Sequence, residues 1–229
     1  MTLSKLIDVA NSSGGTLYLM ALLLLIELTV IIERLRHLSH MQQGGDGLIE
    51  MLQAQTRIRP ETLEAAVQLH PELPHTRLFH QSLVESPDTD IERVEGHLEE
   101  VLMHEAPALD RSLWVLDTVI TLAPLLGLFG TIIGMFGAFS VLGDVQNGPG
   151  QVTGGIAEAL IATASGLLIA MVGLVFFNLL NTKVRVIVHQ METIKVMLVN
   201  RRFGIGNGGE QRRGAPLSLA HDGTQHGKA

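Results

Sequence analysis

The chain of 229 residues contains no cysteine, which excludes a disulfide framework, a thiol nucleophile and any Cys-ligated zinc or iron–sulfur centre. Charge is scarce, at 17% of residues, and aromatics make up only 4%. Basic residues are outnumbered, 16 Lys and Arg against 23 Asp and Glu, for a formal net charge of −7. With a sequence pI near 5.8, sequence-independent nucleic-acid binding is not expected. No GxxxxGK[ST] phosphate loop, no HExxH helix and no GxSxG nucleophile elbow occurs, so ATP hydrolysis, zinc-dependent proteolysis and serine-hydrolase chemistry have no foothold. No enzymatic activity is expected.

Two weaker signals read better as ordinary structure. GIGNGG, Gly204 to Gly209, matches G-x-G-x-x-G. A dinucleotide fingerprint must follow a strand and open a helix; this stretch follows an amphipathic helix and opens nothing. Ten histidines invite a metal. His97 and His104, seven apart, share a helical face but lack a nearby third ligand, and His37, His40, His70, His75 and His80 are scattered among short polar segments. Solvated or capping roles suit them, and no metal or cofactor is expected.

What the chain has in quantity is apolar sequence; its mean hydropathy is +0.31. It falls into three runs, Thr16 to Ile32, about Leu113 to Leu142 and about Ile156 to Leu180. A helix needs about 20 mainly apolar residues to cross a bilayer core. The second and third runs exceed that, and the first meets the short end of the range. The first run lacks the basic leader and small-residue cleavage site of a signal peptide, and ends in Glu33-Arg34-Leu35-Arg36, so it reads as an uncleaved span.

Lys and Arg mark the cytoplasmic side. Arg34 and Arg36 follow the first run, Arg111 precedes the second, and Lys183, Arg185, Lys195, Arg201 and Arg202 follow the third; GDVQNGPGQVTGG between the second and third has neither. The expected architecture is therefore an all-α membrane protein with three transmembrane helices, N-out and C-in, extended by cytoplasmic helices. The predicted divisions are a periplasmic amino terminus at 1–15, spans at 16–33, 113–142 and 156–181, a cytoplasmic helical region at 34–112, a periplasmic loop at 143–155, a cytoplasmic helix at 182–203 and a disordered tail at 204–229.

Within 40–112, Pro60-Glu61 suits a helix start with proline first, and Pro71, Pro74 and Pro87 divide the region into short helices. Ile91, Val94, Leu98, Val101 and Leu102 recur at helical spacing, with Pro107 as a candidate kink. After the third run, Val184, Ile187, Val188, Met191, Ile194 and Leu198 keep one apolar face.

The informative chemistry is inside the membrane. Gly127, Thr131, Gly134 and Ala138 share a face of the second run, which Pro124 extends, and Ala159, Thr163, Gly166, Ala170 and Gly173 share one of the third. Small faces let backbones approach in lipid, where the hydrophobic effect does not drive association, so these glycines and alanines are assigned to helix packing. Counting inward from the loop at 1.5 Å per residue, Thr163 lies roughly 11 Å and Thr131 roughly 18 Å deep, near the middle of a core about 30 Å thick. A threonine there either bonds its own helix or serves a polar path. Intramembrane carboxylates are costly and usually mark ion or proton routes. Glu158, two residues into the third run, is the strongest such candidate. Glu27, in the first run, is equally open to snorkelling, an intersubunit contact or a proton role, and Asp117 reads as the inner interface of the second run.

APLLGLFGTIIGMFGAF (Ala123 to Phe139) and GGIAEALIATASGLLIAMVGLVFFN (Gly154 to Asn178) closely resemble the ExbB/TolQ family of biopolymer-transport proton channels, most of all ExbB. The order of elements fits as well, and the resemblance covers nearly all of the chain but the tail. One position departs: Val172 stands where the family usually carries proline. The resemblance implies a homo-oligomer, a pentamer, in the bacterial inner membrane, around a pore that holds a single-span ExbD/TolR-type partner. It implies protons as the coupling ion, and work delivered to a TonB- or TolA-type protein. A partner aspartate would face the threonines that match Thr131 and Thr163, and Glu158 matches the acidic residue near the outer pore mouth. The motifs do not separate an ExbB role from a TolQ role, and a passive membrane scaffold is the alternative of a different class.

Overall fold

The computed structural model describes residues 15–55, 58–86, 88–140 and 149–203. Among these every regular element is a helix: α1 (Thr16–Gln53), α2 (Pro60–Leu69), α3 (Pro74–Val84), α4 (Ile91–Leu109), α5 (Leu113–Ser140) and α6 (Pro149–Phe203). The expected tail at 204–229 and the amino terminus through residue 14 lie outside the described residues.

Helix starts follow local chemistry. Gly15 precedes α1 in a left-handed conformation (φ 88°), which costs glycine least. Pro60 and Pro74 open α2 and α3, where the missing N–H has no partner to lose. Between α4 and α5 the break is only Asp110, Arg111 and Ser112, and Ser112 takes a positive φ of 72°. Pro107 stays inside α4 and Pro124 inside α5.

Among the described residues, three helices are long and apolar enough to cross a membrane. At 1.5 Å per residue, α6 with its 55 residues is about 80 Å long against a hydrocarbon core of about 30 Å. Half of it therefore projects, on the side that carries Lys183 and Arg185. There it is the spine for the polar helices: Leu48, Leu52, Leu63, Phe79, Val94, Leu98 and Leu102 pack around Met191, Ile194, Leu198 and Val199. Nearer the apolar half, Ile31 and Leu38 meet Leu109, Leu113, Leu116, Leu180, Val184 and Ile187. Within it, Met20, Val119, Ala123 and Ile169 pack together. The rest of the apolar surface, such as Leu22, Leu25 and Ile32 on α1 and Phe129, Ile132 and Phe136 on α5, is exposed, as lipid-facing or subunit-facing helices require.

Two helices outrun their apolar stretches. α1 continues from its span through Gln42-Gln43-Gly44-Gly45-Asp46-Gly47 to Gln53, a composition that costs helix stability in isolation. Tertiary packing holds it: a Cβ on Gly44 would meet the Leu73 side chain, and one on Gly45 would meet Gln190 and His75. The glycines let α3 and α6 close on α1. α6 begins at Pro149, so residues 149–155 of the expected loop are already helical, whereas 141–148 lie outside the described residues. It also passes Val172 without a break.

Candidate functional site: the α5–α6 seam and its polar groups

The antiparallel helices α5 and α6 form a seam in which each small residue is required by a specific neighbour. A Cβ on Gly166 would overlap the Ala123 carbonyl oxygen, and one on Gly127 would lie 3.0 Å from the Thr163 Cα. One on Gly134 would lie 2.9 Å from the Ala159 Cβ, and one on Gly155 2.9 Å from the Ala138 Cβ. Gly130 meets Ala162 in the same way and also lies beside Thr16 of α1. Backbones at this separation gain dispersion and carbonyl contacts that lipid cannot supply.

Gly127, Gly134, Ala138, Ala159 and Gly166 thus sit in the seam. Gly130, Ala162, Ala123 and Gly155 belong to it as well, although they lie outside the small-residue faces read from the sequence. Ala170 is half-buried. Gly173 turns toward α1 instead, where a Cβ would lie 2.8 Å from Ile120 and 2.9 Å from Glu27 Oε1.

The two threonines differ. Thr163 donates its hydroxyl across the seam to the Gly127 carbonyl at 2.9 Å. Thr131, half-buried at the seam's edge, donates to Leu128 of its own helix at 2.6 Å. Each oxygen keeps acceptor capacity, since a hydroxyl has two lone pairs. Because Gly130 opposes Ala162 and Gly127 opposes Thr163, the two hydroxyls lie within about a turn of one another in depth.

Glu158 is half-buried beside Ala159 on α6, and Asp117 is exposed on α5. Glu27 is fully buried, at 0% exposure, and neither carboxylate oxygen has a hydrogen-bond partner among the described residues. Two turns along α1, Arg34 is 6% exposed. Its guanidinium donates to Ser112 Oγ at 2.9 Å and lies 3.5 Å from Glu33, tying α1 to the α4–α5 break.

Beyond the membrane, a buried polar knot joins three helices. His75 Nε2 lies 3.2 Å from Gln190 Oε1, and Gln190 Nε2 donates to the Gln42 carbonyl at 3.0 Å and to Asp46 at 2.7 Å. Since the Gln190 amide nitrogen is committed to those acceptors, its oxygen receives a proton from His75 Nε2. Burial holds the His75 imidazole down to about 4, against the weaker upward pull of the Gln190 bond and Asp46. Of the two histidines on one face, His97 pairs with Glu85 at 2.5 Å, whose carboxyl that bond holds below its ordinary range, and His104 lies 3.7 Å from Glu105.

The two small-faced helices of membrane length each carry a threonine hydroxyl at or beside the seam and stand on a long helical stalk. Residues 47–193 match the MotA/TolQ/ExbB proton channel family. ExbB-like 3 of Synechocystis sp. is 34% identical over 185 residues, 78% of this chain and 87% of that protein. The chain belongs to the MotA/TolQ/ExbB family. The Tol-Pal system protein TolQ of Pseudomonas aeruginosa is 39% identical over 104 residues, 45% of each chain. The biopolymer transport protein ExbB of Neisseria gonorrhoeae is 32% identical over 98 residues, 41% of this chain and 44% of that one. The family is one of proton channels rather than an enzyme class, and ExbB/TolQ proteins reside in the inner membrane, in keeping with the three membrane-length helices.

Proposed function

We propose that the chain is the ExbB-type subunit of a proton-driven motor. Five copies, each N-out and C-in, surround a pore in which a single-span ExbD-type partner carries the proton, and the work is delivered to a TonB-type protein for outer-membrane uptake. The observation that carries this reading is the division of polar groups along the seam. Thr131 and Thr163 supply hydroxyls at mid-depth, while the carboxylates within the apolar stretches of α5 and α6 sit toward the two ends, at Asp117 and Glu158. The pair of helices offers a polar track without a proton carrier of its own, so a carboxyl has to come from another chain. Threonine donates and accepts, and so can greet that carboxyl in either protonation state. Glu158 stands at the outer mouth as the point of proton entry. One charge crossing 100 mV yields about 2.3 kcal/mol, so several protons feed each forceful step.

The match to TolQ of Pseudomonas aeruginosa is as good as that to ExbB of Neisseria gonorrhoeae, which makes a Tol-type role, acting through a TolR-type partner on a TolA-type protein, the second reading. The test is proton flux in proteoliposomes with and without an ExbD-type partner, alongside uptake in a strain lacking its own ExbB and envelope integrity in one lacking TolQ. Flux that requires the partner, with uptake restored, supports the proposal. Rescue of the TolQ-deficient strain alone moves the role to the Tol system. Equal flux without the partner removes the division of labour.

A further inference from the structure

Glu27 is used by none of the steps above. It sits on α1 where that helix packs on both others, and a Cβ on Gly173 of α6 would lie 2.9 Å from its Oε1 and 2.8 Å from Ile120 of α5. Met20, Val119, Ala123 and Ile169 form a buried apolar cluster between the same three helices. Its own chain covers it completely, and neither oxygen finds a donor among the described residues. The room it occupies depends on Gly173, where any side chain would strike it. Burial within one chain leaves no surface by which a neighbouring subunit or a lipid could satisfy it.

Among the described residues no cation is placed to balance a charge there. On α5 the charged residue is Asp117, itself exposed, and α6 carries none between Glu158 and Lys183. On α1 the titratable neighbours are Tyr18, Glu33 and Arg34. Arg34 lies about 10 Å along the helix axis and is engaged by Ser112 and Glu33. An ionised carboxylate in such a site would carry the full cost of desolvation with nothing to offset it. A carboxylic acid avoids that cost, and a single carboxyl without further oxygen ligands suits a proton rather than a metal cation.

We propose that Glu27 is a proton-binding site of this chain, in which the bound proton seats α1 against the α5–α6 hairpin and its release loosens that contact. The site lies on the α1 side of the hairpin, beside Gly173 and about 15 Å along α6 from Thr163, so protonation would report to the scaffold of the motor rather than to its pore. Such a site requires only that the three helices lie in a membrane, whichever partner protein the chain serves.

The absence of cysteine makes a clean test available. Met20→Cys and Ile169→Cys place one pair across α1 and α6 within the Met20–Ile169 cluster. Disulfide yield is followed against pH in the full-length oligomer in lipid nanodiscs, with Glu27→Gln as the comparator that cancels the thiols' own pH dependence. Infrared difference spectra of the cysteine-free protein report the protonated carboxyl directly. The expected result is a protonated-carboxyl band that Glu27→Gln removes. With it, the crosslink ratio of native Glu27 to Glu27→Gln should fall by up to about tenfold per pH unit once the proton is released. A band unchanged by the substitution, or a ratio flat from mildly acidic to alkaline pH, overturns the proposal. Glu27→Leu, neutral and similar in bulk, replaces the amide as comparator if Glu27→Gln fails to assemble, and the same two outcomes decide.

Discussion

The Thr163 hydroxyl on α6 donates across the hairpin to the Gly127 carbonyl on α5 at 2.9 Å. Thr131 bonds only within its own helix. Removing the two hydroxyls should therefore separate packing from coupling. Thr163→Val loses an interhelical bond worth about 0.5–1.5 kcal/mol, nearer the low end in lipid, and should lower the thermal midpoint of the detergent-solubilised oligomer. Thr131→Val should leave that midpoint almost unmoved, within about 0.5 kcal/mol. Both should reduce partner-dependent uptake, because each removes a donor and acceptor at mid-membrane. Full uptake by the double variant would reduce the seam to packing alone.

Glycine positions in α5 and α6 should divide sharply. Gly166→Ala drives a methyl into the Ala123 carbonyl, whereas Gly137→Ala meets nothing within 4 Å. The first should cost about 1–3 kcal/mol as an overpacked contact and lower the yield of assembled oligomer. The second should be neutral or slightly stabilising, since alanine is the better helix former. The two variants, compared by size-exclusion yield and thermal melting, check the seam at single-residue precision.

The membrane helices were legible because hydropathy and small-residue spacing are local properties: a run such as Leu113 to Leu142 is apolar whatever it packs against. The extent of α1 was not legible. Gly44 and Gly45 argue against a helix until Leu73, His75 and Gln190 are brought against them, and those residues lie 28 or more positions away in the sequence. The same holds within the seam. The shared face read from the sequence includes Thr131, yet Gly130 is the residue that opposes Ala162, because the axial offset of two packed helices is decided by both at once. Glu27 was visible as a charge in an apolar run, but its isolation becomes apparent only when Gly173 and Ile120 are placed beside it.

The end of α6 gives a truncation boundary. Arg202 donates to the carbonyls of Ser82 and Glu85, each at 3.1 Å, and to that of Ser86, so it closes the carboxyl end of α3. The sequence beyond it is polar and Gly-rich, with little apolar surface to bury. Deleting 204–229 should leave assembly and uptake largely intact. Deleting from Arg202 onward, or Arg202→Ala, should lower stability by about 1–3 kcal/mol through the lost charged hydrogen bonds, with faster proteolysis near 82–86. Loss of the oligomer on the shorter truncation would identify the tail as a docking element.

The His75 knot gives the stalk a defined response to acid. His75 is fully buried, its Nε2 proton is given to Gln190, and its Nδ1 has no partner among the described residues. A second proton would have to go on Nδ1, placing a charge in the dry interior between α1, α3 and α6. The native imidazole accordingly resists protonation down to about 4, whereas an unfolded histidine takes a proton near 6.5. The unfolded state thus binds more protons between those values, and stability falls as pH falls. The contribution is fully present above about 6.5 and is lost progressively toward 4, to a total of about 3 kcal/mol by linkage. Thermal melts of the oligomer should therefore show a midpoint that drops from neutral to mildly acid pH. His75→Gln, which can still donate to Gln190 but cannot titrate, should flatten that slope while lowering stability at neutral pH through imperfect packing. An unchanged slope in His75→Gln would place the acid sensitivity elsewhere, in the carboxylates of the surface helices.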